Sequence, residues 1–287
     1  MTLRRRLDGP VQRILITSGP TRQYLDPVRY LTNASSGKMG AALADAALRI
    51  GHEVVVLSGP VSIEYPSAAT VIDVLTTDDL LRAAEDYFPD CDGLIGAAAP
   101  CDYRPRRVAA SKMTKTGGSV QIDLIETPDV VAHLGCHKRS DQWVVGFALE
   151  TEDHRFRAIA KMQRKHCDLM VSNGPSAIDS DHNSIEIIAD DGRVLLSDQG
   201  PKSILADQIL KQIELHCMGR SRKQVVRDQD VVVDSVAIDT ASIDSAAIDT
   251  AAIDTAAIDT ADHESTNNNT SEPSPAGDRG HDHLNII

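Results

Sequence analysis

Short apolar runs recur along the first 215 or so residues, and segments of helical spacing alternate with them. Arg13 to Thr17 (RILIT) is a β-rich run closed by Ser18-Gly19-Pro20. Gly37 to Ile50 carries Met39, Leu43, Ala46, Ala47 and Ile50 at helical spacing and stops at Gly51, as helices do. Glu53 to Leu57 is a second strand, closed by Ser58-Gly59-Pro60. A strand near Val71–Val74, a helix from about Asp78 to Tyr87 and the run Gly93–Ala99 follow. After a loop rich in Pro and Arg come a strand at Val120–Ile125 and a helix opened by Thr127-Pro128-Asp129. Next are a strand at Trp143–Ala148, a helix near His154–Lys165 and a strand at Asp168–Ser172. Strands apolar throughout are buried on both faces, and their alternation with helices implies a parallel sheet covered on both sides. Ser184–Ile188 and Val194–Leu196, around Asp190-Asp191-Gly192, form a hairpin, and Pro201–Leu215 a last amphipathic helix. The expected fold is α/β: a doubly wound, mainly parallel, Rossmann-like sheet with a small β-hairpin extension.

The remainder is different material, and the expected boundary falls near 220, with 1–220 the domain and 221–287 an acidic, repetitive tail. Val233, Ile238, Ile243, Ile248, Ile253 and Ile258 are each followed by Asp and then Ser or Thr, in a five-residue period. On a helix five steps turn successive apolar residues about 140° apart, so no stripe forms. On a strand an odd period sends them alternately to opposite faces. A pentapeptide solenoid of six units stacks too few coils to enclose a core, so disorder is the expectation.

The tail also explains the charge. The chain of 287 residues carries a formal −13, yet 13 of its 42 acidic residues lie from Asp228 onward against one basic residue, Arg279. The 29 acidic and 28 basic residues before it nearly cancel. That balance lacks the basic excess of a nucleic-acid-binding domain. No apolar run approaches the roughly 20 residues of a membrane span. The five cysteines, Cys91, Cys101, Cys136, Cys167 and Cys217, are odd in number, widely spaced and without a CxxC pair. Free thiols in a reducing compartment, hence a cytoplasmic location, are expected.

Four segments carry chemistry. The first runs from Thr17-Ser-Gly-Pro-Thr-Arg22 through Arg29 and Asn33 to Ala34-Ser-Ser-Gly-Lys-Met-Gly40. Ser35, Ser36, Gly37 and Lys38 open a helix whose backbone N–H groups suit an anion, although N-capping alone accounts for many such starts. The Asn33 amide both donates and accepts, which suits a carboxylate or acyl oxygen. Arg29 offers a planar fork for a carboxylate or phosphate. The second, Gly96-Ala97-Ala98 to Asp102-Tyr-Arg-Pro105, puts small residues at a strand end where a base or sugar can approach the backbone. Lys112 and Lys115 follow, as cations for phosphates. The third is Pro128-Asp129-Val130-Val131 at a helix start. The fourth is Phe147 in Val145–Thr151, leading to Lys161 and Lys165 on one helix face, where two lysines are commonly just a solvated face but can clamp a polyphosphate.

Together these segments, over roughly residues 11 to 215, resemble the phosphopantothenoylcysteine synthetase family, the synthetase domain of bacterial coenzyme A biosynthesis proteins. The resemblance rests on Arg29-Tyr-x-x-Asn-x-Ser-Ser-Gly-Lys-Met-Gly40 and on Ala97-Ala-x-x-x-Asp-Tyr-Arg104 followed by Lys112. It implies a ligase that joins 4′-phosphopantothenate to L-cysteine with CTP through an acyl-cytidylate, with Mg²⁺ whose ligands the sequence does not announce. It also implies a homodimer. By this resemblance Asn33 matches the residue that holds the acyl intermediate, and Gly96, Ala97, Ala98 and Asp102 the nucleotide contacts. Lys112 matches a phosphate-binding lysine, assisted by Lys115. Pro128, Asp129, Val130, Val131 and Phe147 match the surroundings of the cytosine, and Lys161 and Lys165 the remaining nucleotide-binding lysines. The flavin-dependent decarboxylase usual in the family is not expected within this chain, since about ten residues precede the first strand. A separate decarboxylase partner, and no flavin here, are the corollary.

Pro100-Cys101 stands where the family pattern has Val-Ala, and Leu149 where Ala is common, which bears on CTP against ATP. Cys101 reads as a packed thiol, since the ligation needs no nucleophilic side chain. A nicotinamide-dependent short-chain oxidoreductase is disfavoured because about 16 residues separate the first strand from the glycine loop and no Tyr-x-x-x-Lys occurs. A non-catalytic nucleotide-binding module is disfavoured by Asn33, Lys112, Lys161 and Lys165 occurring together.

Overall fold

The computed structural model describes residues 10–149, 154–173 and 180–218. The expected tail and its repeats lie outside the described residues.

The first strand, β1 (Arg13–Ser18), lies inside an eight-stranded sheet, and Ile14, Leu15 and Ile16 are wholly buried. Burying each such side chain contributes roughly 1.5–3 kcal/mol. A short antiparallel hairpin follows, β2 (Arg22–Tyr24) with β3 (Tyr30–Thr32), before α1 (Lys38–Ile50) crosses to β4 (Glu53–Ser58). β5 (Thr70–Asp73) and α2 (Thr77–Tyr87) come next. Thr76 and Asp79 start α2 with a reciprocal capping box, Asp79 N–H donating to Thr76 Oγ1 at 3.0 Å and Thr76 N–H to Asp79 Oδ2 at 2.9 Å.

After β6 (Gly93–Gly96) the chain forms a two-stranded ribbon, β7 (Tyr103–Pro105) with β8 (Leu124–Glu126). The strand expected over Val120–Ile125 is thus shorter, shifted and outside the main sheet, because residues 117–124 are exposed and bury no apolar face. α3 (Val130–His137), β9 (Trp143–Leu149), α4 (His154–Arg164) and β10 (Leu169–Asn173) complete the alternating part. β11 (His182–Ala189) and β12 (Val194–Pro201) are the expected hairpin, added antiparallel to the edge of the main sheet, and α5 (Lys202–Ile213) closes the fold.

The strand order is β12-β11-β10-β9-β6-β1-β4-β5. Counted along the chain, the six parallel strands stand in the spatial order 3-2-1-4-5-6, the doubly wound arrangement of Rossmann-like folds. Alternate side chains of each strand feed two apolar layers. Ile14 and Ile16 pack with Leu43 and Ala47 of α1 and Leu205, Ile209 and Ile213 of α5. Leu15 points the other way, into the layer of Leu80 and Ala84 of α2, Leu134 of α3 and Met162 of α4. Adjacent strands β1 and β6 therefore lead to helices on opposite faces, and a crevice opens beyond their C-terminal ends. No helix among the described residues is long and apolar enough to cross a membrane.

Candidate functional site

A cleft of about 630 Å³ occupies that crevice. Its floor is the end of β1 and β6: Thr17, Gly96, Ala97 and Ala98, with Ala97 N–H on the Thr17 carbonyl at 3.1 Å. A Cβ on Gly96 would lie 2.6 Å from Val131 Cγ2, so only glycine lets α3 settle against this strand end. One wall is Asn33 to Gly40. Gly37 enters α1 at φ 74°, and a Cβ on Gly40 would lie 2.1 Å from Ser18 Oγ, so the helix start sits directly on β1. No side chain caps α1 and its first turn holds no acid, so its N–H groups and positive dipole end face the cleft.

The opposite wall is Thr127 to Val131 at the start of α3. Asp129 caps that helix, accepting the Ala132 N–H at 3.1 Å, and the same carboxylate receives Lys165 Nζ at 2.9 Å. Two residues with parallel expected roles thus pair with each other and join the end of α4 to the start of α3. Thr127 Oγ1 donates to the Cys101 carbonyl at 2.5 Å, tying this wall to the segment leaving β6. Phe147, Leu149, Lys161, Arg164 and Asn173 complete this side.

The Asn33 amide donates to the carbonyls of Pro100 at 2.8 Å and Ala99 at 3.3 Å, so it bridges the hairpin wall and the β6 exit. Cys101 is 5% exposed, its thiol donating to the Thr21 and Leu31 carbonyls at 3.4 and 3.5 Å. Burial pushes this thiol's pKa up, which keeps it protonated and unreactive. The packed-thiol reading of the sequence agrees with this geometry.

Of the sequence-derived candidates, Asn33, Ser35, Ser36, Gly37, Lys38, Gly96, Ala97, Ala98, Asp102, Pro128, Asp129, Val130, Val131, Phe147, Lys161 and Lys165 all line the cleft. Arg29, Lys112 and Lys115 do not. The Arg29 guanidinium pairs with the buried Asp26 at 3.0 Å and donates to the Met113 carbonyl, beside exposed Lys112. Four further polar lining residues escaped the sequence reading, Arg164, Asn173, Asn183 and Lys202, as did the apolar Leu80. Only the helix beginning at Pro201 was a signal for Lys202.

A larger concavity, about 720 Å³, lies over edge strand β5. Asp73, Asp79 and Asp86 line it beside Arg22 and Arg82, and the α2 start that borders it is already closed by its capping box, so it suits a phosphate-bearing ligand less.

The family model for the DNA/pantothenate metabolism flavoprotein C-terminal domain matches residues 10–216. The coenzyme A biosynthesis bifunctional protein CoaBC of Vibrio vulnificus (strain CMCP6) is 40% identical over 207 residues, which are 70% of this chain and 51% of that protein. The protein of the same name from Escherichia coli (strain K12) is 39% identical over 207 residues, with the same two shares. The chain spans about half the length of the curated relatives it matches. A crystal structure of the C-terminal domain of coenzyme A biosynthesis bifunctional protein CoaBC superposes with a TM-score of 0.61 at 36% identity, covering 71% of this chain and 94% of that one.

Proposed function

The chain belongs to the DNA/pantothenate metabolism flavoprotein C-terminal domain family, and we propose that it is a phosphopantothenate–cysteine ligase that uses CTP. The observation that carries this reading is the meeting, at one switch point, of a bare strand end, an uncapped helix start and Asn33. In the first step a carboxylate oxygen of 4′-phosphopantothenate attacks the α-phosphorus of CTP. The bond to the β-phosphate oxygen breaks and pyrophosphate leaves. In the second, the neutral amine of L-cysteine attacks the acyl carbon of the acyl-cytidylate, the acyl–oxygen bond breaks, CMP departs and the nitrogen loses a proton.

The protein's task is to hold a carboxylate beside a triphosphate that repels it, and fixed donors facing the developing charge perform it. The α1 start supplies N–H groups and Lys38. Lys161 supplies charge from the other wall, and Lys165 orients Asp129. Asn33 already spans the two elements that would flank the acyl group, which suits it to orient that oxygen. The base lies by Pro128, Val130, Val131 and Phe147, and its ribose by Asp102. Lys112 and Lys115 add charge when their exposed segment lies over the bound nucleotide. Among the described residues no three His, Cys, Asp or Glu converge on a metal position. Mg²⁺ therefore fits as an ion brought in on the phosphates, where it supplies charge neutralisation. The same reading places a homodimer in the cytoplasm.

The test is pyrophosphate release by the purified protein with 4′-phosphopantothenate and each of the four nucleoside triphosphates, with and without cysteine. Mass spectrometry of the adduct completes it. Equal rates with all four sink the CTP preference, and no adduct with any sinks the ligase.

A further inference from the structure

Asn183 is 7% exposed and lines the cleft. Its Oδ1 accepts the Ser184 N–H at 2.8 Å, which fixes the oxygen end of the amide. Its Nδ2 has no hydrogen-bond partner among the described residues. The side chain of Asn173, in the same wall of the cleft, has none at either end. Buried polar groups are rarely left unpaired, so an amide held in this way is set for something that enters the cleft.

Strand register gives the surroundings. Asn173, at the end of β10, pairs with Ile185 of β11, so Asn183, two residues before Ile185, is its diagonal neighbour at about 7–8 Å. Phe147 of β9 pairs with Val171, two residues before Asn173, so the ring and this amide are diagonal neighbours in turn. All three lie on one face of the sheet. Phe147 packs on the layer of α1 and α5, and the two asparagines keep the parity of Val171 and Ile185 within it. Gly200 stands directly across from Asn183, and a Cβ there would meet nothing within 4 Å, so the space beside the amide is open. An aromatic side chain followed by two uncharged carboxamides suits a nucleobase, with apolar surface for the ring and amides for its polar edge. A phosphate accepts only and would use one end of each amide, whereas the free oxygen of Asn173 fits an edge that also donates.

We propose that Asn183 and Asn173 read the polar edge of the nucleotide's base and select a pyrimidine over a purine. This assignment rests on the ligase reading above, which puts the base beside Phe147. Asn173 donates to N3 of cytosine and accepts from its N4 amino group, and Asn183 Nδ2 donates to O2. Uracil reverses the first pair, which Asn173 meets by turning its amide over, and keeps O2. Adenine carries a C–H where Asn183 needs an acceptor, and guanine carries an amino group there, donor against donor. Selection against ATP therefore falls on Asn183, whose oxygen is engaged by Ser184 and whose amide cannot turn over without losing that bond.

The test is titration calorimetry with CTP, ATP, GTP and inorganic pyrophosphate on the wild type, on N183L, which is close in shape and uncharged, and on N183D. N183L should weaken CTP about tenfold and leave ATP and pyrophosphate within about twofold, closing the gap between the two nucleotides. N183D keeps an acceptor for the Ser184 N–H but turns the donor that faces the cleft into an acceptor, so the preference for CTP over GTP should narrow by about tenfold or more. In turnover, kcat/KM for CTP should fall while KM for 4′-phosphopantothenate stays. CTP bound as in the wild type, an equal loss for ATP, or a loss that falls on pyrophosphate or 4′-phosphopantothenate overturns the assignment. If the melt shows the Asn183 variants unfolded, N173A decides, since that side chain makes no hydrogen bond among the described residues. It should weaken CTP about fivefold and spare pyrophosphate, and no change overturns the site. A wild type that binds CTP through these residues and forms no adduct would refute the ligase and leave the base site standing.

Discussion

The carboxylate of Asp26 accepts the backbone N–H of Met113 at 3.1 Å, across 87 residues of chain. Its other oxygen accepts Val28 N–H at 2.8 Å and Arg29 N–H at 2.9 Å, and Arg29 in turn donates to the Met113 carbonyl. An acid and a base from the hairpin wall thus hold both backbone polar groups of one distant residue, Met113, next to Lys112. Asp26→Asn puts an amide donor against donors. The variant should free this segment, with trypsin cleaving at Lys112 and Lys115 about tenfold faster and kcat/KM falling by a similar factor. Wild-type cleavage rates would show that the clasp does not hold the loop.

The same carboxylate predicts a pH dependence. Burial pushes the Asp26 pKa up, but the Val28, Met113 and Arg29 N–H groups and the Arg29 charge outweigh it and hold it below the ordinary carboxylate value. A pKa lower in the folded state means stability that is complete above the unfolded value of about 3.9 and is lost as pH falls through the folded one. The difference in Tm between wild type and D26N should be constant from about pH 7 to 5 and shrink below about pH 4. A difference that shrinks between pH 7 and 5 would contradict the assignment.

Gly96→Ala sets a Cβ 2.6 Å from Val131 Cγ2. Overpacking of this kind costs about 1–3 kcal/mol and here pushes the α3 start off the strand end. G96A should lower denaturant stability and CTP affinity together. Adding V131A, which removes the colliding methyls, should restore most of the stability. A double variant no more stable than G96A would exclude the collision as the cause.

Asn33→Asp replaces an amide donating to two carbonyls with a carboxylate facing them. It also sets like charge beside the substrate acid. Turnover should fall by about a hundredfold or more, against a change of about threefold or less in CTP affinity. Near-native turnover would dismiss the role, whereas accumulated acyl-cytidylate would place the defect in the second step.

Truncation after Gln224 removes the five-residue repeats and all 13 of the clustered acidic residues. Every described core residue lies at or before Cys217, so the fold and ligase rate should survive. CTP should bind slightly tighter at low salt, where repulsion is least screened. Insoluble or inactive truncated protein would show that the fold requires the tail.

The sequence by itself determined the α/β layering, because strands such as Ile14–Ile16 are buried on both faces and must be apolar throughout, and helices such as α1 must be apolar on one side. It also determined most of the cleft, since Asn33–Gly40 and Pro128–Val131 sit where a loop meets a helix and Gly96–Ala98 where a strand ends, and such junctions gather at one sheet edge. Tertiary structure alone decided the rest. The β2–β3 and β7–β8 ribbons have strands of three residues, too short and too polar to show a period. Arg29 turned to Asp26 instead of the cleft, and Lys165 to Asp129, because a long cation takes whichever anion the fold brings within reach. Lys202 entered the cleft because an antiparallel hairpin carried the α5 start to the edge where α1 begins. Local spacing records which residues are apolar, but the pairing of charges depends on contacts between segments far apart in the chain.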